Sequence, residues 1–573
     1  MKVLLVAINA KYIQTNLAVR LLSGYAHAHV SAVREGLCAV NFVEWNINQN
    51  ISSMLRGVYE EKPDVVFFSV YIWNRKESIE LASEVKKLMP EVLIGFGGPE
   101  VSWDAQRVFS ECPYLDLLIS GEGEQTFAEL LEVLVAGGSF ESIQGLYSRK
   151  KNSTDIFWPG KRRPLENLDL IPFPYEKGNP GFDVENRLVY YESSRGCPFS
   201  CAYCLSAIDT SVRYYSLPRV LTEIQFFLDE DYPLIKFVDR TFNLLPQRYL
   251  VIWEYIRDHY NGKTTFHFEI AVEHLSEEAF SVLSTIPSGA IQFEIGIQST
   301  NEETLRLVGR PSSPEKLAEK INRIPSSIHV HVDLIAGLPK EDLATFKKSF
   351  DFAWALKAGM LQLGFLKILS GSPMAIQAKE DAGYIWSDNP PYEVLSSPVL
   401  PYSDILILKD IEHLLDSWFN SGLLRNTLLF LSQSQFEDSG YALFDSLVAH
   451  TKKYFADGDL YLPRRSQDLF ACLANFCLGT DLLSLEFLKL DYLSQGKPGS
   501  FPPWFTRSYS KDAHDESLQK TGLIRENGES RRLLYARTEY EELALYPEKE
   551  KCGYFFEYSL RNKKEKKVII TKV

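Results

Sequence analysis

Three cysteines set the chemistry open to this chain. Cys197, Cys201 and Cys204 stand in the run Ser194-Arg-Gly-Cys-Pro-Phe-Ser-Cys-Ala-Tyr-Cys204, a C-x3-C-x2-C triplet. Thiolates at this spacing can hold three irons of one [4Fe–4S] cluster, whereas a structural cluster takes four cysteines. The next cysteines along the chain are Cys112 and Cys472, so one iron would stay open to an exchangeable ligand. Spacing alone also admits a zinc knuckle short of its fourth ligand, or a chance meeting of thiols. The triplet follows the apolar run Leu188-Val-Tyr-Tyr-Glu-Ser-Ser194, which reads as a strand entering a Gly-Pro loop.

Such a loop needs a scaffold, and residues 186–385 supply one by alternating strand and helix signals. Leu234–Asn243 reads as a strand ending in Asp239, Arg240 and Asn243. Thr265–Ala271 puts His267 and Glu269 on one face, and Ala290–Ser299 does the same with Gln292, Glu294, Gly296 and Gln298. Ile328–Pro339 places His329, His331 and Asp333 together before a tight Gly-Leu-Pro turn, and Leu361–Leu369 supplies a further strand. Polar residues on one face of consecutive strands describe a β/α barrel whose lumen is open to a ligand, with chemistry at the carboxyl-terminal rim.

Upstream, residues 1–140 alternate continuously apolar strands with helices, the mark of a parallel sheet covered on both faces. The strands expected are Lys2–Asn9, Ala39–Trp45, Asp64–Tyr71, Glu91–Gly97 and Leu115–Ser120. In such a doubly wound domain the ligand site lies at the carboxyl ends of the strands. Asn9-Ala-Lys-Tyr12, Ser69-Val-Tyr71, Gly97-Gly-Pro-Glu100 and Gly121-Glu-Gly-Glu124 fall there, although as structure alone they could be ordinary turns. Residues 141–185 form a proline-rich linker. Residues 386–573 form a mostly helical extension, with helices expected at Ile405–Asn420, Tyr441–Ala456 and Ser466–Phe476 and a hairpin at Asn527-Gly528. The expected fold class is thus α/β: a Rossmann-like domain, a partial TIM-like barrel and an α-rich cap.

Taken together these motifs resemble the radical S-adenosylmethionine (SAM) enzymes that carry a cobalamin (B12)-binding domain and a C-terminal extension of unknown function. The resemblance covers about the first two-thirds of the chain. It implies that SAM chelates the open iron and is cleaved to a 5′-deoxyadenosyl radical, with Tyr203 packing on the adenine. It carries Glu294 and Gln298 over as polar SAM contacts and Gly337, in Asp333-Leu-Ile-Ala-Gly-Leu-Pro339, as a backbone contact. Asp239 or Arg240 would take the place of the usual Gly-Gly-Glu that recognises the SAM amino group. Cobalamin would meet Asn9, Ser69, Gly97, Gly98, Gly121 and Glu122. The Asp-x-His-x-x-Gly motif that ligates cobalt in other cobalamin domains is missing, which implies a lower face without histidine.

The activity implied is cobalamin-mediated methyl transfer to an unactivated carbon of a small-molecule or peptide substrate, with an electron donor such as flavodoxin or ferredoxin. The resemblance also extends to a B12-assisted cyclase or rearrangement of a tetrapyrrole-like metabolite. A third reading, a non-catalytic cobalamin or SAM sensor, has no need of an open iron. A tRNA methylthiotransferase would need three cysteines in its N-terminal domain, which here has Cys38 and Cys112. A net charge of −14 argues against a nucleic-acid partner. The basic run Arg561–Lys567 reads as a solvated tail. No run of about 20 apolar residues suggests a membrane span, and eight cysteines, three in the triplet and five scattered, suit a reducing cytoplasm.

Overall fold

In the computed structural model the described residues are 1–150, 155–176, 187–381, 383–480, 484–496 and 500–506, with the backbone of 534–538, 552–558 and 568–572. The Asn527-Gly528 hairpin and the basic tail lie outside them. The five N-terminal strands form as expected: β1 (Lys2–Asn9), β2 (Ala39–Asn46), β3 (Val65–Ser69), β4 (Leu93–Gly97) and β5 (Leu117–Ile119). Every residue of β1 after Lys2 is buried, as a strand with helices on both faces requires. The order is β2-β1-β3-β4-β5 and all five run parallel. Order therefore reverses between β1 and β3, and that crevice is the switch point where such sheets take a ligand.

Two further strands extend this sheet from within the expected linker. β6 (Leu146–Arg149) pairs antiparallel with β5, and β7 (Ile156–Phe157) pairs antiparallel with β6. The physical reason is edge protection, because β5 alone would present an open row of backbone groups.

The second sheet begins with β8 (Val189–Tyr191). A short antiparallel pair, β9 (Ser194–Arg195) and β10 (Arg213–Tyr214), then clamps the base of the cysteine loop. β11 (Leu234–Phe237), β12 (Thr265–Glu269), β13 (Ile291–Gln298), β14 (His329–Ala336) and β15 (Met360–Phe365) complete six parallel strands in sequential order, a partial barrel. β13 shows how the sequence builds it: Ile291, Phe293, Ile295 and Ile297 are buried and the alternating Gln292, Glu294, Gly296 and Gln298 are half-buried. Phe237, Phe266, Phe268, Phe293 and Trp253 are wholly buried on the outer side. Each contributes roughly 1.5–3 kcal/mol relative to exposure, which anchors the sheet by its outer face and leaves the inner face free.

A small antiparallel pair, β16 (Ile385–Trp386) and β17 (Val394–Ser396), leads into the extension. Its helices are Tyr402–Leu414, continued by a wider turn at Leu415–Asn420, then Arg425–Gln435, Gly440–Tyr454, Ser466–Thr480 and Ser484–Ser494. Two of these, Arg425–Gln435 and Ser484–Ser494, were not expected from the sequence. They hold each other: Asp491 accepts hydrogen bonds from the backbone N–H of Asn426 and Thr427 and so caps the first turn of the former. Arg425 donates to the carbonyls of Ala358 and Gly359, and Asn420 exchanges hydrogen bonds with Leu361. These contacts fall at the start of β15, so this part of the extension buttresses the last strand. Beyond them, β18 (Leu534–Thr538), β19 (Cys552–Tyr558) and β20 (Val568–Lys572) form an antiparallel sheet. No described helix is long and apolar enough to cross a membrane.

Candidate cofactor site

The cysteine loop owes its path to two glycines. Gly196 has φ +96°, and a Cβ there would lie 1.8 Å from the Ser211 carbonyl oxygen. Gly309 has φ +70°, and a Cβ there would lie 2.6 Å from the Ser200 carbonyl oxygen. Only glycine lets the chain pass so close. Cys197 and Cys201 are buried and Cys204 is half-buried. Arg310, itself half-buried, places Nη1 at 4.0 Å from Cys201 Sγ while Nη2 donates to the Gly296 carbonyl at 2.7 Å. Thr241 Oγ1 lies 3.7 Å from Cys197 Sγ, and the Ser206 amide 3.4 Å from Cys204 Sγ. A cation and polar hydrogens beside thiol sulfurs are what an anionic thiolate cluster needs.

The geometry also bears on the zinc alternative. Among the described residues, the His, Cys, Asp and Glu group whose ligand atoms all lie within 4.8 Å of one another is His267–Glu294–His331. That group contains none of the three thiols.

Several residues that the resemblance carries over as SAM contacts lie around the loop. Tyr203 packs against the apolar cluster that contains Leu338, the residue after Gly337, and Gly337 takes φ +91°. Gln298 holds φ +67°, uncommon for a residue with a side chain, and its Oε1 is buried without a hydrogen-bond partner. Asp333 Oδ1 is likewise buried and unpartnered. Burial and the negative charge of Glu294 and Glu269 push Asp333 up to about 8. Orphaned acceptors at the rim are what a bound ligand with donors would satisfy.

Asp239 and Arg240 separate in role. Asp239 is fully buried and accepts hydrogen bonds from Ser193 N, Ser193 Oγ and Ser194 Oγ, so its carboxylate fixes the approach to the cysteine loop. Arg240 is exposed and close enough to act electrostatically on Glu269 and on Tyr71 of the N-terminal domain. Glu294 is likewise engaged below the rim. Its Oε2 takes Lys236 Nζ at 2.8 Å and His267 Nε2 at 2.9 Å, and the Gln292 amide meets His267 Nδ1 at 2.8 Å. Burial opposes its charge, yet His267 and Lys236 more than offset this and hold Glu294 down to about 2. The Lys236 ammonium thus already supplies the cation of the His267–Glu294–His331 trio. His331 stays neutral, since burial and the neighbouring His329 and His267 push it down to about 4.

In the N-terminal domain, Asn74 Nδ2 donates to the carbonyls of Ile8 and Ser69 and so bridges the ends of β1 and β3 at the switch point. Trp73 Nε1 also donates to Ile8, and the Trp73 ring stacks on Tyr71. Asn9 Nδ2 donates to the Gln14 carbonyl, which ties the loop after β1. Gly98 takes φ +116° and would place a Cβ 2.4 Å from the Val70 carbonyl oxygen, whereas at Gly97 the nearest atom to a Cβ is 3.8 Å away. At Gly121 nothing lies within 4 Å. The turns after β1, β3 and β4 also expose Tyr12, Trp73 and Trp103. Open backbone rimmed by exposed aromatic rings suits a large ligand with both polar and apolar parts. Glu122 points the other way, accepting hydrogen bonds from the Leu165 amide and the Arg213 guanidinium.

Sequence reasoning missed Arg195, Arg213, Glu124, Arg310 and Lys236. Arg195 and Glu124 stood inside quoted motifs, but nothing in either run says that they meet.

Comparison with known proteins follows the same partition. Residues 3–131 match the B12 binding domain family, residues 191–353 the Radical SAM superfamily, and residues 380–570 a family described as Protein of unknown function (DUF4080). The chain is 28% identical over 314 residues to the cobalamin-dependent radical SAM methyltransferase TokK of Streptomyces tokunonensis, covering 52% of this chain and 45% of that protein. It is 29% identical over 316 residues to the 2-(S-pantetheinyl)-carbapenam-3-carboxylate methyltransferase of Streptantibioticus cattleyicolor, with the same shares covered. The chain thus spans about half the length of these curated relatives. In fold it matches the cobalamin-dependent SAM radical enzyme OxsB at a TM-score of 0.59 and 17% identity, over 92% of this chain and 82% of that one. The domain matches agree on a [4Fe–4S] cluster, SAM and cobalamin as the cofactors: the chain carries a B12 binding domain, then a Radical SAM domain, then a region matching DUF4080.

Proposed function

We propose that this protein is an enzyme that uses SAM and cobalamin together to methylate an unactivated carbon of a small-molecule or peptide substrate. The observation that carries this reading is a loop of three thiols, with no fourth cysteine beside it among the described residues, tied directly to a turn of the B12 domain. When bound, the cluster and SAM supply a carbon radical able to remove hydrogen from substrate, and cobalamin supplies the methyl group.

The chain's own residues bind, orient and shield. Arg310 balances thiolate charge beside Cys201. Tyr203, Gly337 and Gln298 frame the SAM position over the rim, and Asp333 offers a carboxyl group that can donate or accept a proton near neutral pH. Lys236, Glu294, His267 and Gln292 form a fully hydrogen-bonded floor that holds its shape when substrate enters. Tyr71 and Arg240 face this space from the two domains. The methyltransferase names of the two curated relatives support the reaction class. A one-electron donor of the flavodoxin or ferredoxin kind would reduce the cluster, and a reducing cytoplasm suits the free thiols.

The test is anaerobic turnover of the reconstituted protein with a small-molecule extract and SAM carrying a deuterated methyl group. Mass spectrometry should find a product carrying the intact labelled methyl. SAM cleavage to 5′-deoxyadenosine without any labelled product would overturn methyl transfer.

A further inference from the structure

We propose that Arg195 and Glu124 couple the two cofactor sites, so that ordering of the cysteine loop strengthens cobalamin binding and the reverse. The inference rests on the functional reading above, and its observations are geometric. Arg195 lies on β9, two residues before Cys197, and Arg213 lies opposite it on β10, where the loop returns. Both side chains leave the barrel and reach the same B12-domain turn, Gly121-Glu-Gly-Glu124. Arg195 Nη2 donates to Glu124 Oε1 at 2.5 Å, and Arg195 Nη1 lies 3.7 Å from Glu122 Oε2. Arg213 pairs with both oxygens of Glu122 and donates to the Leu165 carbonyl at 2.6 Å. Each arm of the cysteine loop is therefore held by one carboxylate of the turn.

The network is closed and largely out of solvent. Arg195 also grips Glu192, at 3.0 and 3.2 Å through Nε and 2.7 Å through Nη2, and Tyr215 donates to the same carboxylate at 2.7 Å. Arg195 and Glu124 have side chains 13% and 7% exposed. Burial works against the charge on Glu124, but Arg195 more than reverses this and keeps it an anion. Removing one partner would strand buried charge on the other, so the pair holds or fails as a unit. The planar fork of arginine also fixes direction as well as charge. The turn that carries these glutamates carries Gly121, whose backbone is open to a ligand. Movement of either loop is thereby transmitted to the other, and such coupling must be reciprocal.

The test uses the full chain under anaerobic conditions, with hydroxocobalamin as probe. Its affinity is measured by equilibrium dialysis on iron-free protein and on cluster-reconstituted protein. For the unaltered chain the cluster should tighten cobalamin about tenfold, equivalent to ~1.4 kcal/mol. In Glu124→Gln, and separately in Arg195→Lys, this ratio should fall to within about twofold while each cofactor still binds alone. A purely structural role would weaken cobalamin equally in both states and leave the ratio at its original value, which would overturn the proposal. So would a ratio near one in the unaltered chain. Iron uptake with no cobalamin binding at all would overturn the functional reading as well. If one variant fails to fold by circular dichroism, the other decides.

Discussion

Glu341 shows what burial does to a single titratable group near the rim. It is wholly buried, accepts hydrogen bonds from Ser299 and Ser349 through Oε1, and leaves Oε2 unpartnered. Burial pushes it up to about 7. A carboxyl whose folded pKa exceeds its unfolded value binds more protons folded, so stability falls as pH rises from about 4.5 to 7. Glu341→Gln removes that titration. Relative to the parent, the variant should gain about 1–3 kcal/mol between pH 5 and 8, read as the pH slope of denaturant midpoints. An unchanged slope would refute the burial account. Histidine placement gives a second prediction at this scale. His27 and His29 make hydrogen bonds to the Ser23 and Leu170 carbonyls and do not sit in the turn after β1. The cobalt(II) protein should therefore show no nitrogen superhyperfine splitting by electron paramagnetic resonance.

Glycines at loop turns decide the behaviour of whole elements. Gly196→Ala forces a side chain into the Ser211 carbonyl at a positive φ, which typically costs on the order of 1–3 kcal/mol or displaces the loop. The variant should fold but hold well under half the iron of the parent after reconstitution. Full iron content would show that the loop's path is not what this turn fixes. Gly97 and Gly98 look interchangeable in sequence but are not. Gly98→Ala clashes with the protein's own backbone at Val70 and should lower the melting temperature. Gly97→Ala has room, so any loss there should appear in cobalamin affinity alone. Equal thermal loss in both would contradict the geometry.

Across the whole molecule, the N-terminal sheet ends later than the strand and helix alternation suggests. A fragment cut near residue 145 would strip β6 and β7 and bare the β5 edge. A fragment ending near residue 165 would keep all seven strands. We expect the shorter fragment to aggregate on size-exclusion chromatography and the longer one to run as a monomer; two well-behaved fragments would show that the added strands are dispensable. The domains also meet through backbone pairing: the Thr15 amide donates to the Leu188 carbonyl, the Leu188 amide donates to the Ile13 carbonyl, and Gln14 Nε2 donates to the Tyr190 hydroxyl. Relative domain motion has to break these contacts as well as the Arg195 network.

Much of this protein was legible without coordinates because its signals are local. Strand periodicity in Ile291–Gln298 dictates which side chains face inward, continuous apolar runs dictate a two-sided parallel sheet, and the Cys197–Cys204 spacing is itself a ligand geometry. The signals that failed were those whose partner lies far along the chain. The helix Arg425–Gln435 is capped by Asp491, so no cap appears in its own sequence. Glu122 reads as a ligand residue in its motif, yet the fold gives it to Arg213. Asp239 and Arg240 are neighbours of similar promise, and only packing buries one beneath Ser193 and Ser194 while leaving the other at the surface. Sequence alone determined most of the elements of the first two domains and the cofactor chemistry. The tertiary structure alone decided which charges meet, because buried ion pairing depends on distances between segments that share no local pattern.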